Sequence, residues 1–506
     1  MPVSKTFSAT LEGIDGVVVQ LESSSQATTP QICVSGLAGE VVKESRERVR
    51  ASLAGLGYDV PSSRILIHLS PAESRKQGSQ LDLAIAVAVL LAEKLVPRAP
   101  AESCAFLGEL TLDGRLRPVS AAANLADALT RRPELGAVIL PEANAPDVDV
   151  LGDSRLRIAR DLGQVIAFLR GEIELAKPAT SATRPATPAG ISLDRIRGQV
   201  LGKRAVQIAV AGRHHLLLMG APGVGKSLLA HASQRLLPPL EPGEAVEIRK
   251  NYAYCPDEVP AGGSRPFRAP HHTISAQGLI GGGTSRILPG EVTLAHRGTL
   301  FLDECPELRR DLLEGLREPL EDGMVRLRRV GASRCLPARF LLLAAMNPCP
   351  CGYSLERERR CVCPPERIAR YRQRLSGPLL DRIDLGVALH LPRSDEPATP
   401  GAETRAREAV ARAWETQATR YLGTPSRLNA DVTVPEGDSF ELPSEAGDWL
   451  AREARRMGLS WRSLHKILRV SRTIADLEAS PRICVSHVRE AVLLRCGAHF
   501  LGQGPC

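Results

Sequence analysis

The sequence predicts an α/β chain built on a phosphate-binding core, with a second α/β domain before it and a helical domain after it. Three observations carry this reading. An apolar run at residues 216–219 leads into Gly220-Ala221-Pro222-Gly223-Val224-Gly225-Lys226-Ser227 and then Leu228-Leu229-Ala230, the order strand, loop, helix. A second buried run, Thr299-Leu300-Phe301-Leu302, ends in Asp303-Glu304, and a third, residues 340–346, ends in Asn347.

Residues 220–227 fit G-x-x-x-x-G-K-[ST], in which glycines let successive backbone N–H groups turn inward and a helix N-terminus adds partial positive charge. Gly220, Ala221, Pro222, Gly223, Val224 and Gly225 therefore form the wall of a nucleotide site. Lys226 is expected at the β- and γ-phosphates of ATP, and Ser227 on Mg²⁺. Asp303 is placed to share that Mg²⁺, and Glu304 to orient or deprotonate the attacking water. Asn347 suits contact with the γ-phosphate or the water.

The set 220–227, Asp303-Glu304, Asn347 and Asp381-Arg382 resembles the AAA+ ATPases of the magnesium-chelatase and MCM-helicase branch. Longer strings narrow it: Pro266-Phe267-Arg268-Ala269-Pro270-His271-His272, Pro289-Gly290-Glu291, Ala345-Met346-Asn347-Pro348-Cys349-Pro350-Cys351-Gly352 and Leu375-Ser376-Gly377-Pro378-Leu379-Leu380-Asp381-Arg382 are similar to the YifB/ComM family. The resemblance covers nearly the whole chain. It implies a hexameric, ATP-driven branch-migration motor acting on single-stranded or branched DNA in natural transformation. It also implies that Arg382 is a finger completing a neighbour's site, and that Ser460-Trp461-Arg462-Ser463-Leu464 is a sensor-two motif with Arg462 near the γ-phosphate. Arg469 and Arg472 share that helix and compete for the sensor role. The rival reading is the ATPase subunit of a metal chelatase, against which stand the N-terminal domain and the lack of a metal-dependent adhesion-type domain.

At 506 residues and 43% hydrophobic content the chain has room for about three domains with real cores. Nothing reads as a transmembrane run, and the first ten residues lack an apolar core, so a cytoplasmic protein is expected. Twelve cysteines in such a chain read as reduced thiols or metal ligands rather than as a disulfide framework. Net charge is +8, and residues 191–393 hold 30 Lys and Arg against 20 Asp and Glu. That surplus sits where a nucleic-acid motor needs it. Aromatics are only 3%, so phosphate-backbone contact is expected rather than base stacking.

Residues 1–175 read as the N-terminal α/β domain, with strands near 14–21, 31–35 and 65–69 and helices near 40–54 and 81–95. Lys76-Gln77-Gly78 and Leu112-Asp113-Gly114-Arg115-Leu116-Arg117-Pro118-Val119 resemble the Lon protease domain. Its Ser–Lys dyad is lost, because Gln80 and Ala123 fall at the matching positions, and Ser79 has no lysine at the matching spacing after Pro118. The domain is therefore degenerate and non-proteolytic. Residues 176–190, rich in Pro, Ala, Thr and Ser, form a linker. The ATPase domain spans 191–393.

Within it, residues 262–290 carry Arg265, Arg268, His271, His272 and Arg286 and read as a DNA-contacting loop or, alternatively, as a subunit-packing loop. The two adjacent histidines are expected to point apart. Arg326, Arg328 and Arg329 mark a second inserted hairpin. Cys349, Cys351, Cys361 and Cys363 form C-x-C-x₉-C-x-C, a set able to hold Zn²⁺ and clip the loop between the pairs. After a linker at 392–401, residues 394–506 form a helical lid, with periodicity at 403–421, 445–457 and 461–477.

Overall fold

Buried hydroxyls as well as hydrocarbons build the first sheet. The strand Ser4–Glu12 turns Ser4, Thr6, Ser8 and Thr10 inward, and the Ser8 hydroxyl donates to the Phe106 carbonyl at 2.7 Å. The structure is a computed structural model that describes residues 3–36, 40–59, 61–71, 78–179, 190–255, 258–260, 263–283, 288–329, 332–356, 359–391, 400–433 and 440–496. It divides into two units, residues 1–184 with 241–259, and residues 185–240 with 260–506. Among the described residues no helix is long and apolar enough to cross a membrane.

The first unit holds a seven-stranded mixed sheet. In spatial order its strands are Gln31–Ser35, Arg64–Ser70, Asp15–Gln26, Ser4–Glu12, Cys104–Phe106, Ala137–Pro141 and Leu156–Ala159. Strands Ser4–Glu12 and Asp15–Gln26 pair as an antiparallel hairpin, and the last three run parallel. The helix Asp82–Ala92 is apolar on every side and buried from Asp82 to Leu91, as a helix packed on all faces must be. Its first residue is the exception in chemistry. Asp82 is fully buried, and the Arg48 guanidinium donates to it at 2.8 and 3.1 Å while the Leu110 N–H donates at 3.2 Å. Burial pushes the Asp82 carboxyl up, with Arg48 opposing.

Ser79 donates to the Glu109 carboxylate, Gln80 reaches the Thr10 hydroxyl at 3.5 Å, and Ala123 is buried in the helix Ala122–Thr130. Lys76 and Gln77 lie outside the described residues.

Residues 241–259 interrupt the ATPase sequence yet belong to this first unit. Their helix Pro242–Asn251 ends on the helix Ala122–Thr130. There Asn124 donates to the Lys250 carbonyl at 3.0 Å, Lys250 pairs with Asp127 at 3.0 Å, and the Tyr254 hydroxyl donates to the Gly13 carbonyl at 2.6 Å.

The second unit is organised on a five-stranded, all-parallel sheet in the order Phe267–Arg268, Thr299–Leu302, Leu341–Met346, Leu216–Gly220, Leu385–Leu389. The three central strands are buried along their length, which explains their continuous apolar runs. The helices Val200–Gly212, Ala402–Arg420, Ser444–Met457, Trp461–Leu477 and Val485–Cys496 all contribute to the same core. The expected inserted hairpin is present as Met324–Arg329 paired antiparallel with Ala332–Pro337.

Arg48→Ala should leave Asp82 buried with the Leu110 N–H and the Ser45 hydroxyl, both neutral donors, in place of a guanidinium. It should cost about 2–3 kcal/mol, the scale of a charge-assisted pair. Urea unfolding of the full chain, followed by circular dichroism, checks this; an unchanged midpoint would show the pair to be dispensable.

Candidate active site

Parallel register brings the carboxyl ends of three neighbouring strands together, with Met219 opposite Met346 and Leu302 opposite Ala344. The chain leaves the first of these strands through the phosphate loop. Gly223 and Gly225 have φ of +79° and +101°, and a Cβ built on either meets nothing within 4 Å. These glycines are therefore required for left-handed backbone, not for space. The helix Lys226–Leu236 begins directly after the second.

The Lys226 ammonium is buried, 8% exposed, and donates to the Gly220 carbonyl at 2.7 Å, the Ala221 carbonyl at 3.0 Å and Asn347 Oδ1 at 3.0 Å. Burial lowers its pKa, with the Asp303 and Glu304 carboxylates opposing. The Ser227 hydroxyl donates to Asp303 Oδ2 at 2.9 Å, so the two groups suited to Mg²⁺ touch. Glu304 follows with φ of +47°, uncommon for a side chain of its size, and its N–H donates to Asp303 Oδ1 at 2.9 Å. That turn leaves the Glu304 carboxylate half exposed, 3.9 Å from His272 Nδ1. The structure thus gathers Lys226, Ser227, Asp303, Glu304 and Asn347 at one edge of the sheet. Oxygen donors at Ser227 and Asp303 fit a hard divalent cation, which polarises phosphate oxygens when bound with nucleotide.

Arg382 and Arg462 lie at the opposite edge. Arg382 precedes the strand Leu385–Leu389, which runs parallel to Leu216–Gly220, so it sits beside the strands' amino ends. Roughly 15 Å of strand separates the two edges. Its guanidinium donates to the Arg317 carbonyl at 3.0 Å, the Pro378 carbonyl at 2.7 Å and the Glu321 carboxylate. Arg462 is half exposed, 3.8 Å from Glu321 and 3.9 Å from Asp381. Both line a cavity of about 590 Å³ with His215, Arg339 and Asp384, residues at strand amino ends. Neither arginine reaches the phosphate loop of its own chain.

The competing arginines are otherwise engaged. Arg469 donates to the Ala430 and Val432 carbonyls, and Arg472 is buried against Asp476 and the Ser480 and Pro481 carbonyls.

Several basic residues expected to face DNA are used inside the unit. Arg265 is buried, donates to the Pro238, Pro239 and Arg297 carbonyls, and stacks over Trp414 at 4.9 Å. Arg268 forms a two-pronged pair with Glu291 at 2.5 and 2.7 Å. Internal carbonyls engage the first guanidinium and a carboxylate the second. His271 and His272 do not point apart: their rings sit 4.1 Å centre to centre. Arg286 and the Arg329 side chain lie outside the described residues, whereas Arg328 is exposed on the hairpin and Arg326 is paired with Glu318 and Asp322. His272 beside Glu304 was not singled out for the catalytic edge by sequence reasoning. The Phe267–Arg268 strand pairing beside Thr299–Leu302 is what brings it there.

The four clustered cysteines converge, with all four sulfurs within 4.8 Å of one another.

The models for magnesium chelatase subunit ChlI match residues 21–144, 192–396 and, for its C-terminal part, 402–495. A Mycobacterium tuberculosis protein is 39% identical over 98% of this chain and 99% of its own length. The protein YifB of Escherichia coli is 37% identical over 96% of this chain and 95% of its own, and the competence protein ComM of Haemophilus influenzae 36% identical over 99% of each.

Glu304→Gln should bind ATP yet hydrolyse it at least about a hundredfold more slowly, the scale of a lost general base. Lys226→Ala should instead lose nucleotide binding. Fluorescent-nucleotide titration alongside phosphate release separates the two; equal loss of binding in both would refute the division of roles.

Proposed function

The chain belongs to the YifB/ComM family of magnesium chelatase-like ATPases, and from that premise we propose that it is an ATP- and Mg²⁺-dependent ring motor on DNA, a hexamer driving branch migration of recombination intermediates. One observation carries the ring. The loop, acid pair and Asn347 occupy one edge of the sheet, while Arg382 and Arg462 occupy the other, so a site that uses these arginines takes them from a second chain.

Each residue then has a task. Lys226 and the loop amides hold the phosphates, Ser227 and Asp303 hold Mg²⁺, and Asn347 orients the water or the γ-phosphate. Glu304 takes the water's proton as the oxygen attacks the γ-phosphorus and the bond to the bridging oxygen breaks, with ADP as the leaving group. Arg382 from the neighbouring subunit offsets charge developing on the transferred group, and Arg462 supports it from the same edge. The degenerate Lon-like unit takes no part in peptide cleavage.

DNA as the substrate draws on the ten-charge surplus of residues 191–393, on exposed Arg328 in the hairpin, and on the competence role in the name of the Haemophilus relative. The chelatase reading has the family models' own description behind it. Phosphate release measured with single-stranded DNA, duplex, a four-way junction and protoporphyrin separates the two. DNA should stimulate hydrolysis, and DNA binding should weaken steeply with salt as counterions are released. Stimulation by the porphyrin and by no DNA would overturn the motor.

Mixing two inactive variants tests the shared site. Arg382→Ala should bind ATP and hydrolyse about 10³-fold less; Lys226→Ala should be inactive for want of nucleotide. Mixed rings contain interfaces with an intact loop from one chain and an intact arginine from the other, so activity should return in part. No rescue at any ratio, with light scattering confirming mixed rings, would make Arg382 a purely intrachain group held by Glu321.

A further inference from the structure

The cysteines after Asn347 do more than sit close together. Cys349 Sγ lies 3.3 Å from Cys351 Sγ and 3.6 Å from Cys361 Sγ, Cys351 and Cys361 are 3.5 Å apart, and Cys363 completes a set spanning at most 4.8 Å. Four thiolates around one Zn²⁺ at about 2.3 Å stand about 3.8 Å from each other, so the sulfurs lie close to the spacing of a tetrahedral centre. Cys349 is fully buried and the other three half-buried, which shields such a centre while leaving it an entry path. Cys104 and Cys305 contrast with this. They are buried singly as small apolar side chains, and burial pushes the Cys104 thiol up to about 11 and the Cys305 thiol up further.

What the cluster touches gives it a role. Asn347, whose side-chain oxygen accepts from Lys226, stands two residues before Cys349. Gly352, between the two cysteine pairs, has φ of +90°, and a Cβ built there would lie 2.5 Å from Cδ and 3.0 Å from Cγ of Pro222 in the phosphate loop. The cysteine loop therefore lies directly against the phosphate loop. Outside the cluster, the Arg372 guanidinium donates to the Pro348 carbonyl at 3.0 Å, which ties the run between Asn347 and Cys349 to the helix Pro365–Arg372.

We propose that Cys349, Cys351, Cys361 and Cys363 form a structural Zn²⁺ site that braces the nucleotide site, holding Asn347 against Lys226 and the turn at Gly352 against Pro222. The metal takes no part in hydrolysis; it fixes the position of two groups that do. A 15-residue excursion crossed by four metal bonds has far fewer conformations than the same segment with free thiols.

The bracing half of this rests on the ATPase reading, whereas the metal half does not, and the experiment reads them separately. Full-length protein purified without chelator is assayed for zinc, and chelator-stripped protein is titrated with Co²⁺ and followed by its thiolate charge-transfer absorption. About one zinc per chain is expected, together with the absorption of a tetrahedral tetrathiolate. Cys361→Ser and Cys363→Ser should lose both signals, while Cys335→Ser, at an exposed thiol on the hairpin, should keep them. Less than about a fifth of a zinc per chain with no Co²⁺–thiolate band in the wild-type protein would overturn the site without touching the ATPase assignment.

The brace is tested by Gly352→Ala, which leaves every ligand in place but forces a methyl into Pro222. It should retain the zinc and weaken nucleotide binding or slow hydrolysis roughly tenfold or more, the scale of a sub-ångström to 1 Å misplacement. Zinc-free Cys361→Ser should show the same defect. Wild-type nucleotide affinity and turnover in both variants would overturn the brace even with metal bound.

Discussion

One buried ammonium sets the geometry of the catalytic edge. Lys226 takes its three acceptors from the loop that follows one strand and from the residue that follows the next, so its position depends on the parallel pairing of Leu216–Gly220 with Leu341–Met346. Burial works against its charge, and the nearby Asp303 and Glu304 carboxylates partly restore it. Phosphate oxygens are stronger partners for an ammonium than carbonyls, because both partners are then ionised. A side chain already extended and hydrogen-bonded loses little further freedom on meeting them.

The polarity of a parallel sheet then separates two sets of residues. Residues that end strands converge at one edge and residues that precede strands at the other, and the loop and the arginines fall on opposite sides of that division. The arginine edge is itself held firmly. Asp384 is buried at the start of the last strand and pairs with Lys466 at 2.9 Å, on the helix that also carries Arg462. Burial opposes ionisation of Asp384, yet Lys466 and the contact with His214 outweigh it and hold the carboxyl well below its ordinary range. Lys466, desolvated by the same environment, is pushed down to about 8 despite Asp384. His215 is pushed down to about 4 by burial, and its neutral Nδ1 accepts from the Leu342 N–H. Removing either member of the Asp384–Lys466 pair takes the ion-pair partner from a buried charge, which is strongly destabilising.

Charge counted along a sequence says where positive residues are, not where they point. Residues 191–393 carry the surplus, but Arg265 and Arg268 spend theirs on internal carbonyls and on Glu291. The hairpin is similar in part: Arg326 is neutralised by Glu318 and Asp322, and exposed Arg328 keeps its charge toward solvent. The positive surface of this stretch is therefore narrower than the composition suggests. Removing an internally paired arginine weakens the fold before it weakens any outside contact.

The sequence by itself determined the chemistry whose groups are covalent neighbours. The loop 220–227, the acid pair and Asn347 are each a short string at the end of an apolar run, legible as motifs from residue type and spacing alone. It also determined the helices with clear periodicity, with 461–477 found where expected and the two before it within a residue. It hid the strand Ser4–Glu12, because alternation there is read inversely when hydroxyls face the core, and the helix Val485–Cys496, whose apolar residues do not line one face. Only the tertiary structure decided which edge of the sheet receives Arg382 and Arg462, that Arg265 turns inward and His272 toward Glu304, and that residues 241–259 leave the ATPase sequence for the other unit. It likewise set the turn at Gly352 against Pro222, residues 130 positions apart in the chain. The reason is common to all of these: spacing encodes what a segment can become, while contacts between distant segments arise from strand order and register, which no single segment carries.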